Sequence, residues 1–320
     1  MKFVSSPSYK IKLFENSKSS GFIESMSIYT NAIPPELRTS SNEIIEWIDE
    51  YNIIFEDELL IFGLYEDNKI IGFSQGVFFN KEKFIVIDYL VIDKQYRGNH
   101  TFQMFIALFK KFLEVYKYEY NFIVTEVESK NTALMQLLRS NGFGEIQSKY
   151  FQPQLGVNNF ESLLKAKLLY HPAYKDKVIK DDTYSMIINT IYDKHYIRWY
   201  SKFLSNKKLI KYKQEIESLK KNIFNNLKNE IKITGGRKSI NEYDLFNVGH
   251  ELKYTSTILS IIFIFLFSTL TLGKYFELNI KELIVLVVTN VSMFLLLYSL
   301  VSKKGIEQFK LLTKFFDKLK

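Results

Sequence analysis

The sequence predicts a mixed α/β domain whose mostly antiparallel sheet is flanked by helices, followed by an all-α region with two transmembrane helices. Three observations lead there. Strand-like and helix-like segments alternate over residues 1–172. Helical spacing then replaces the strand signals. Two uncharged apolar runs, residues 255–273 and 283–301, lie near the end. A hydrophobic share of 47% in 320 residues leaves ample material for a core in the first part.

The elements follow in order. Ser40 to Glu43 has the pattern of a capping box and opens a helix through Tyr51. Residues 58–65 and 69–79 are apolar runs joined by the turn-prone Glu66, Asp67 and Asn68, so they read as a hairpin. Residues 84–92 form the next strand, reached through the turn at 80–83. A helix covers 99–116, a strand 121–127, and a helix 131–141, which ends at Gly142, a residue suited to a left-handed C-cap. Residues 143–154 and 163–170 read as two closing strands.

From residue 173 to 252 the expectation is a helical linker. Leu209, Tyr212, Ile216, Leu219, Ile223, Leu227 and Ile231 recur at three- and four-residue spacing. That stripe suits a short coiled coil, and with it a homo-oligomer, or equally a helix packed on the first domain. Each apolar run just spans a hydrocarbon core, at about 1.5 Å per helical residue. The short connection makes 253–303 a hairpin. Lysines are dense outside it and sparse within it, which places both flanks, and so both termini, in the cytoplasm of a multi-pass membrane protein. No signal peptide is expected, because the first residues are polar and mixed. Residues 304–320 form a basic amphipathic tail suited to an anionic lipid surface.

Composition narrows the chemistry. The absence of cysteine removes disulfides, thiolate metal sites and a cysteine nucleophile. The four histidines, His100, His171, His195 and His250, are scattered, and no metal is expected. The net charge of +8 fits the inner face of a bilayer. Nucleic acid ranks low as a partner, since no run of stacking aromatics accompanies the lysines.

The stretch from Asp88 to His100 carries the chemistry. It reads as a buried strand, a turn with a glycine, and a helix start. Unpaired N–H groups at a helix N-terminus hold phosphate, and Gly98 lets the backbone approach closely. The loop Gln95, Tyr96, Arg97, Gly98, Asn99, His100 and the following Thr101 resemble the pyrophosphate loop of the GNAT superfamily, the Gcn5-related N-acetyltransferases. So does the preceding strand Asp88, Tyr89, Leu90, Val91, Ile92. The segment from Asn131 to Gly142 and Phe143 is similar to that family's Asn-(x)10-Gly-Phe helix. The resemblance covers about residues 20–170.

The resemblance implies an N-acyltransferase that moves an acyl group, in particular acetyl, from acetyl-CoA or another acyl-CoA to an amine by direct attack, and the apolar hairpin would make it membrane-anchored. It implies that the pantetheine arm meets the backbone of Leu90, Val91 and Ile92 between two splayed strands. Asn131 either contacts that arm or caps its helix, or does both. The acidic positions Asp88 and Glu126 are the candidate bases. The family's frequent general-acid tyrosine is replaced by Leu138, and His100 stands where the family prefers Gly or Ala. Tyr150, Tyr89 or water is left as the proton donor. These departures keep an alternative open, a membrane effector whose degenerate GNAT-like domain senses a ligand and controls the hairpin. The acceptor amine is not legible from the sequence.

Overall fold

Strands supply the frame and helices cover both of its faces. The computed structural model describes residues 2–6, 8–97, 100–154, 165–225 and 227–236. The hairpin expected at 253–303, the tail at 304–320, and Gly98 and Asn99 of the loop lie outside the described residues. Among the described residues no helix is long and apolar enough to cross a membrane.

The strands in chain order are β1 (Phe3–Ser5), β2 (Tyr9–Phe14), β3 (Glu58–Glu66), β4 (Lys69–Phe79), β5 (Phe84–Ile92), β6 (Phe122–Glu128), β7 (Gly144–Ile146), β8 (Ala166–His171), β9 (Val178–Lys180) and β10 (Glu230–Gly235). They form one sheet in the order β1-β2-β3-β4-β5-β6-β8-β7-β10-β9. Only β5 and β6 pair in parallel, across the connection that holds α3 (Thr101–Val115). The β3–β4 hairpin turns through Asp67 and Asn68, both left-handed, which suits the twist of a tight hairpin.

Two cores result. On one face α1 (Phe22–Ala32), α2 (Ser41–Ile54), α5 (Asp181–Asn189) and α7 (Asn206–Phe224) bury Phe22, Tyr29, Trp47, Ile187 and Ile216 against the sheet side of Phe73, Val86 and Val124. On the other face α3 and α4 (Thr132–Ser140) bury Phe105, Phe109, Phe112 and Leu138 against Phe62, Ile85 and Ile123. Ser40 caps α2 as the sequence pattern predicts, its side chain accepting from Glu43 N–H. Gly142 ends the α4 region with φ near 90°.

The segment after residue 172 departs from the expected helical run. Two strands, β9 and β10, extend the sheet there. Ile231, counted above in the helical stripe, lies on β10, where Ile231 and Ile233 are buried and Glu230 and Lys232 are exposed. Period-two alternation therefore overrides the four-residue spacing from Leu227. The buried stripe of α7, Tyr212, Ile216, Leu219 and Ile223, packs into the chain's own core, as the packed-helix alternative expects. The strand expected over 143–154 shortens to β7. Beyond it the chain turns inward, with Lys149 and Phe151 carbonyls accepting from Tyr184 and Tyr192 hydroxyls.

One irregularity positions the site. Gln75 faces Tyr89 and Gly76 faces Ile87, so Asp88 is an extra residue, a β-bulge in β5. Phe84 and Val86 face one core and Ile85 and Ile87 the other; after the bulge Tyr89 and Val91 return to the first. The bulge frees Asp88 from strict alternation. A Cβ placed on Gly76 would lie 2.4 Å from the Val86 carbonyl oxygen, so only glycine fits opposite the bulge. Gly76→Ala is expected to destabilise the fold by about 1–3 kcal/mol through backbone overpacking, read as a lower urea midpoint with an unchanged slope.

Candidate active site

The site begins where β5 and β6 part. Their parallel pairing stops at Ile87 and Thr125. Beyond that point β5 keeps β4 as its only strand partner among the described residues, and Glu126 to Glu128 pair with β8. The gap opens a cavity of about 510 Å³. Its lining comes from both faces of the sheet. Asn131, Ala133, Leu134 and Leu137 come from the α4 side, while Ile33, Thr39, His195, Tyr196, Trp199 and Tyr200 come from the opposite side. The exposed edge of β5, with Leu90, Val91 and Ile92, lies between them.

Asp88 and Glu126 are the first residues past the last β5–β6 pair, and each is half-buried beside the gap. Gln75 Nε2 donates to Asp88 Oδ2 at 3.1 Å, and His195 Nε2 lies 2.8 Å from Asp88 Oδ1. Tyr150 O–H donates to Glu126 Oε1, and Tyr196 O–H donates to Glu126 Oε2 at 2.7 Å. Burial lifts the Glu126 carboxyl to about 7; the two phenol donors and His195 pull against that rise, and the Asp88 charge adds to it. Burial works against the His195 imidazolium, but Asp88 outweighs it, so His195 titrates above its ordinary value. Burial, and then Glu126, hold Tyr150 and Tyr196 far above the ordinary phenol range, so both keep their protons.

His195 and Tyr196 come from a segment that gave no site signal. Residues 181–201 are helical throughout: α5 runs into a wider, i→i+5 turn at Thr190–Ile197 and then into α6 (Arg198–Ser201). Wider turns of this kind recur at functional sites. Acidic partners hold the segment down: Lys194 to Glu82 at 2.8 Å, Arg198 to Asp57 at 2.7 Å and Lys202 to Glu50 at 2.8 Å. Trp199 Nε1 donates to Glu43 at 3.1 Å. The signal that could have found it is the four-residue spacing of Tyr184, Ile188, Tyr192, Tyr196 and Tyr200, four of them tyrosines, with His195 beside it.

The predicted site residues divide. Asp88, Leu90, Val91, Ile92, Arg97, Glu126 and Asn131 line one cavity. Asn131 also caps α4, accepting from Leu134 N–H at 3.1 Å. Arg97 Nε donates to the Ile92 carbonyl at 2.9 Å. Tyr150 does not line the cavity; it is buried behind Glu126, and Tyr196 is the phenol that reaches both the carboxylate and the cavity wall. Gln95, Tyr96, His100 and Thr101 also lie off the cavity wall: Gln95 N–H is held by Asp93, Tyr96 O–H meets Lys69, His100 stands at the N-cap of α3, and Thr101 is buried. Leu138 is buried in the α3–α4 core and cannot reach the cavity. Tyr89 O–H accepts from Thr39 N–H at 2.9 Å and is pushed up to about 12 by burial. Among the described residues no cluster could hold a metal ion.

This arrangement, a parallel strand pair split over a deep pocket and followed by an Asn-capped helix, meets an independent finding. Residues 24–143 match the model of the acetyltransferase (GNAT) family. His195 and Tyr196 fall outside that match. No curated protein matches the chain. Among solved structures it is similar to a GNAT-family protein from Bacteroides thetaiotaomicron, with 18% identity over 57% of this chain and 96% of that one and a TM-score of 0.41. It is also similar to a Salmonella typhimurium acetyltransferase that modifies the N-terminal serine of ribosomal protein L7/L12, with 11% identity, coverage of 53% and 98%, and a TM-score of 0.42. A third, also from Salmonella typhimurium, was solved with its cofactor acetyl-CoA, with 15% identity, coverage of 51% and 92%, and a TM-score of 0.35. At such identities and TM-scores the assignment rests on the family profile and on the residues.

The raised Glu126 value makes a stability prediction. Its folded pKa lies above the ordinary 4.5, so its contribution is complete below about pH 4.5 and is lost as pH rises through about 7. The loss amounts to about 3 kcal/mol at about 1.4 kcal/mol per pKa unit. Denaturant titrations across that range should show the decline in the wild type, and most of it should vanish in Glu126→Gln.

Proposed function

We propose that the chain is an acyl-CoA-dependent N-acyltransferase, transferring acetyl to an amine by direct attack. The cavity at the β5–β6 split carries this reading. Among the described residues no strand pairs with the β6-facing edge of β5 beyond Ile87, so backbone N–H and C=O groups there are open to an extended pantetheine arm and to a developing oxyanion. Asn131 and Arg97 line the same cavity, and the start of α3 adds unpaired N–H groups for a diphosphate. The thioester supplies the acyl group and a thiolate leaving group. Asp88 and Glu126 present negative charge to the incoming amine, and Tyr196, which donates to Glu126, lines the same cavity.

Calorimetry should detect acetyl-CoA binding to the full chain, and an amine panel should release CoA. Arg97→Ala is expected to weaken binding by about tenfold, in the range of one charge-assisted contact. A wild-type protein that binds no acyl-CoA would sink the assignment.

The sequence supports a further element of the proposal, anchoring by a hairpin at 253–303 with both flanks on the cytoplasmic side. The amine would then be modified at the inner membrane face. The full chain, expressed in bacteria, should sediment with membranes and resist alkaline extraction; recovery in the supernatant would refute the anchor.

A further inference from the structure

We infer that His195, held by Asp88, is the group that takes the proton from the acceptor amine, with the helical segment 190–201 forming the acceptor side of the cleft. This rests on the acyltransferase reading above. Asp88, lying where a base is expected, is spoken for. One oxygen accepts from Gln75 and the other lies 2.8 Å from His195 Nε2. Asp88 Oδ1 has no aligned hydrogen-bond donor, so this contact is an ion pair, and it draws the Nε2 proton toward Asp88 and leaves Nδ1 as the basic nitrogen. Nδ1 is buried and has no hydrogen-bond partner, and the imidazole lines the cavity. A carboxylate that fixes the tautomer of an imidazole and stabilises its protonated form is the logic of the serine hydrolase triad. Here the amine nitrogen takes the hydroxyl's place.

The surroundings fit a cationic primary amine. Asp88, Glu126 and Glu128 line the cavity together with the rings of Tyr89, Tyr196, Trp199 and Tyr200. Carboxylates and aromatic faces hold an alkylammonium until it is neutralised. The groups that set the imidazole's charge come from each element around it: Asp88 from β5, Glu126 from β6, and Arg198 from its own helix. Phe79 from β4 and Trp199 add apolar edges within 6.5 Å. The thioester would approach from the α3–α4 side of the sheet and the amine from the His195 side, so the two reactants meet in the gap.

The step balances. The ammonium gives one proton to His195 Nδ1, which passes it to solvent. The freed lone pair forms the C–N bond to the thioester carbonyl carbon, and the C–S bond breaks with its electron pair on sulfur. The nitrogen's second proton ends on the departing thiol. The products are an amide, a free thiol and one released proton, and Asp88 acts throughout as a positioning residue.

Two acceptors separate this from a structural role. One is a linear alkylamine, charged near neutral pH; the other is a fluorinated alkylamine of low basicity, already neutral there. With full-length protein in detergent, His195→Gln is expected to lower kcat/KM for the alkylamine about a hundredfold near pH 7. That loss should shrink as pH climbs toward the amine's own pKa, and the fluorinated amine should react almost as fast as with wild type. Asp88→Asn should follow the same pattern, with acetyl-CoA affinity by calorimetry unchanged in both. A loss equal for both amines and at every pH, or no loss, overturns the assignment. If the variants fail to fold, the pH profiles of wild type and Glu126→Gln decide. A rise of kcat/KM through an enzyme group that persists in Glu126→Gln supports His195, and a profile that follows only the amine's pKa, or that loses the rise in Glu126→Gln, overturns it. Absence of acetyl-CoA binding by the wild type is a separate result, and it removes the acyltransferase reading itself.

Discussion

The contact between Asp88 and His195 is the constraint on which the rest of the site depends. A carboxylate inside a sheet is costly unless it is paired, and Glu126 stands beside it with the same need. The sheet alone offers Asp88 only the Gln75 amide. The helical segment 181–201 supplies the remainder: an imidazole to Asp88 and a phenol to Glu126. The two acidic residues therefore require the later segment, and the later segment is held in place partly by them. Removing either side leaves an uncompensated buried group on the other.

The wider turn at 190–197 follows from this pairing. Asp88 and Glu126 lie on neighbouring strands, which are about 4.8 Å apart where they still pair. Successive residues of an ordinary helix point about 100° apart, too divergent for both to meet neighbouring carboxylates. An i→i+5 turn holds more residues per turn and narrows that angle, so consecutive His195 and Tyr196 meet the two acids together. Around this turn the ion pairs of Lys194 and Arg198, and the Trp199 bond to Glu43, resist a return to regular helix.

How much of this the sequence discloses depends on the range of each interaction. Strands β3 to β6, the caps Ser40 and Asn131, and the left-handed Gly142 are set by local chemistry, and patterning over a few residues reveals them. Asp88, Leu90 to Ile92 and Asn131 are legible for the same reason: strand, loop and helix succeed one another in the chain. The bulge at Asp88 is not, because its cause is Gly76 on the neighbouring strand. Nor is His195, which is more than a hundred positions from Asp88 and meets it only through the docking of a whole helix. The confusion of Ile231 with the α7 stripe has another origin. A four-residue step satisfies a helix, and Ile231 with Ile233 satisfies a strand, so only the partners β9 and β7 decide.

The same contrast bears on what makes this domain different from the family pattern it matches. The matched region, 24–143, holds the β5 edge, the α4 cap and both carboxylates of the cavity. Leu138 is locked in the core, and Tyr150, beyond the match, lies behind Glu126. His195 and Tyr196 restore an imidazole and a phenol to the cavity from the opposite face of the sheet. Ile187, Ile191, Tyr192 and Trp199 pack the segment 181–201 into the same core as α2 and the sheet, and the ion pairs add to this, so it forms a fixed wall of the cleft opposite the residues that rest on α4.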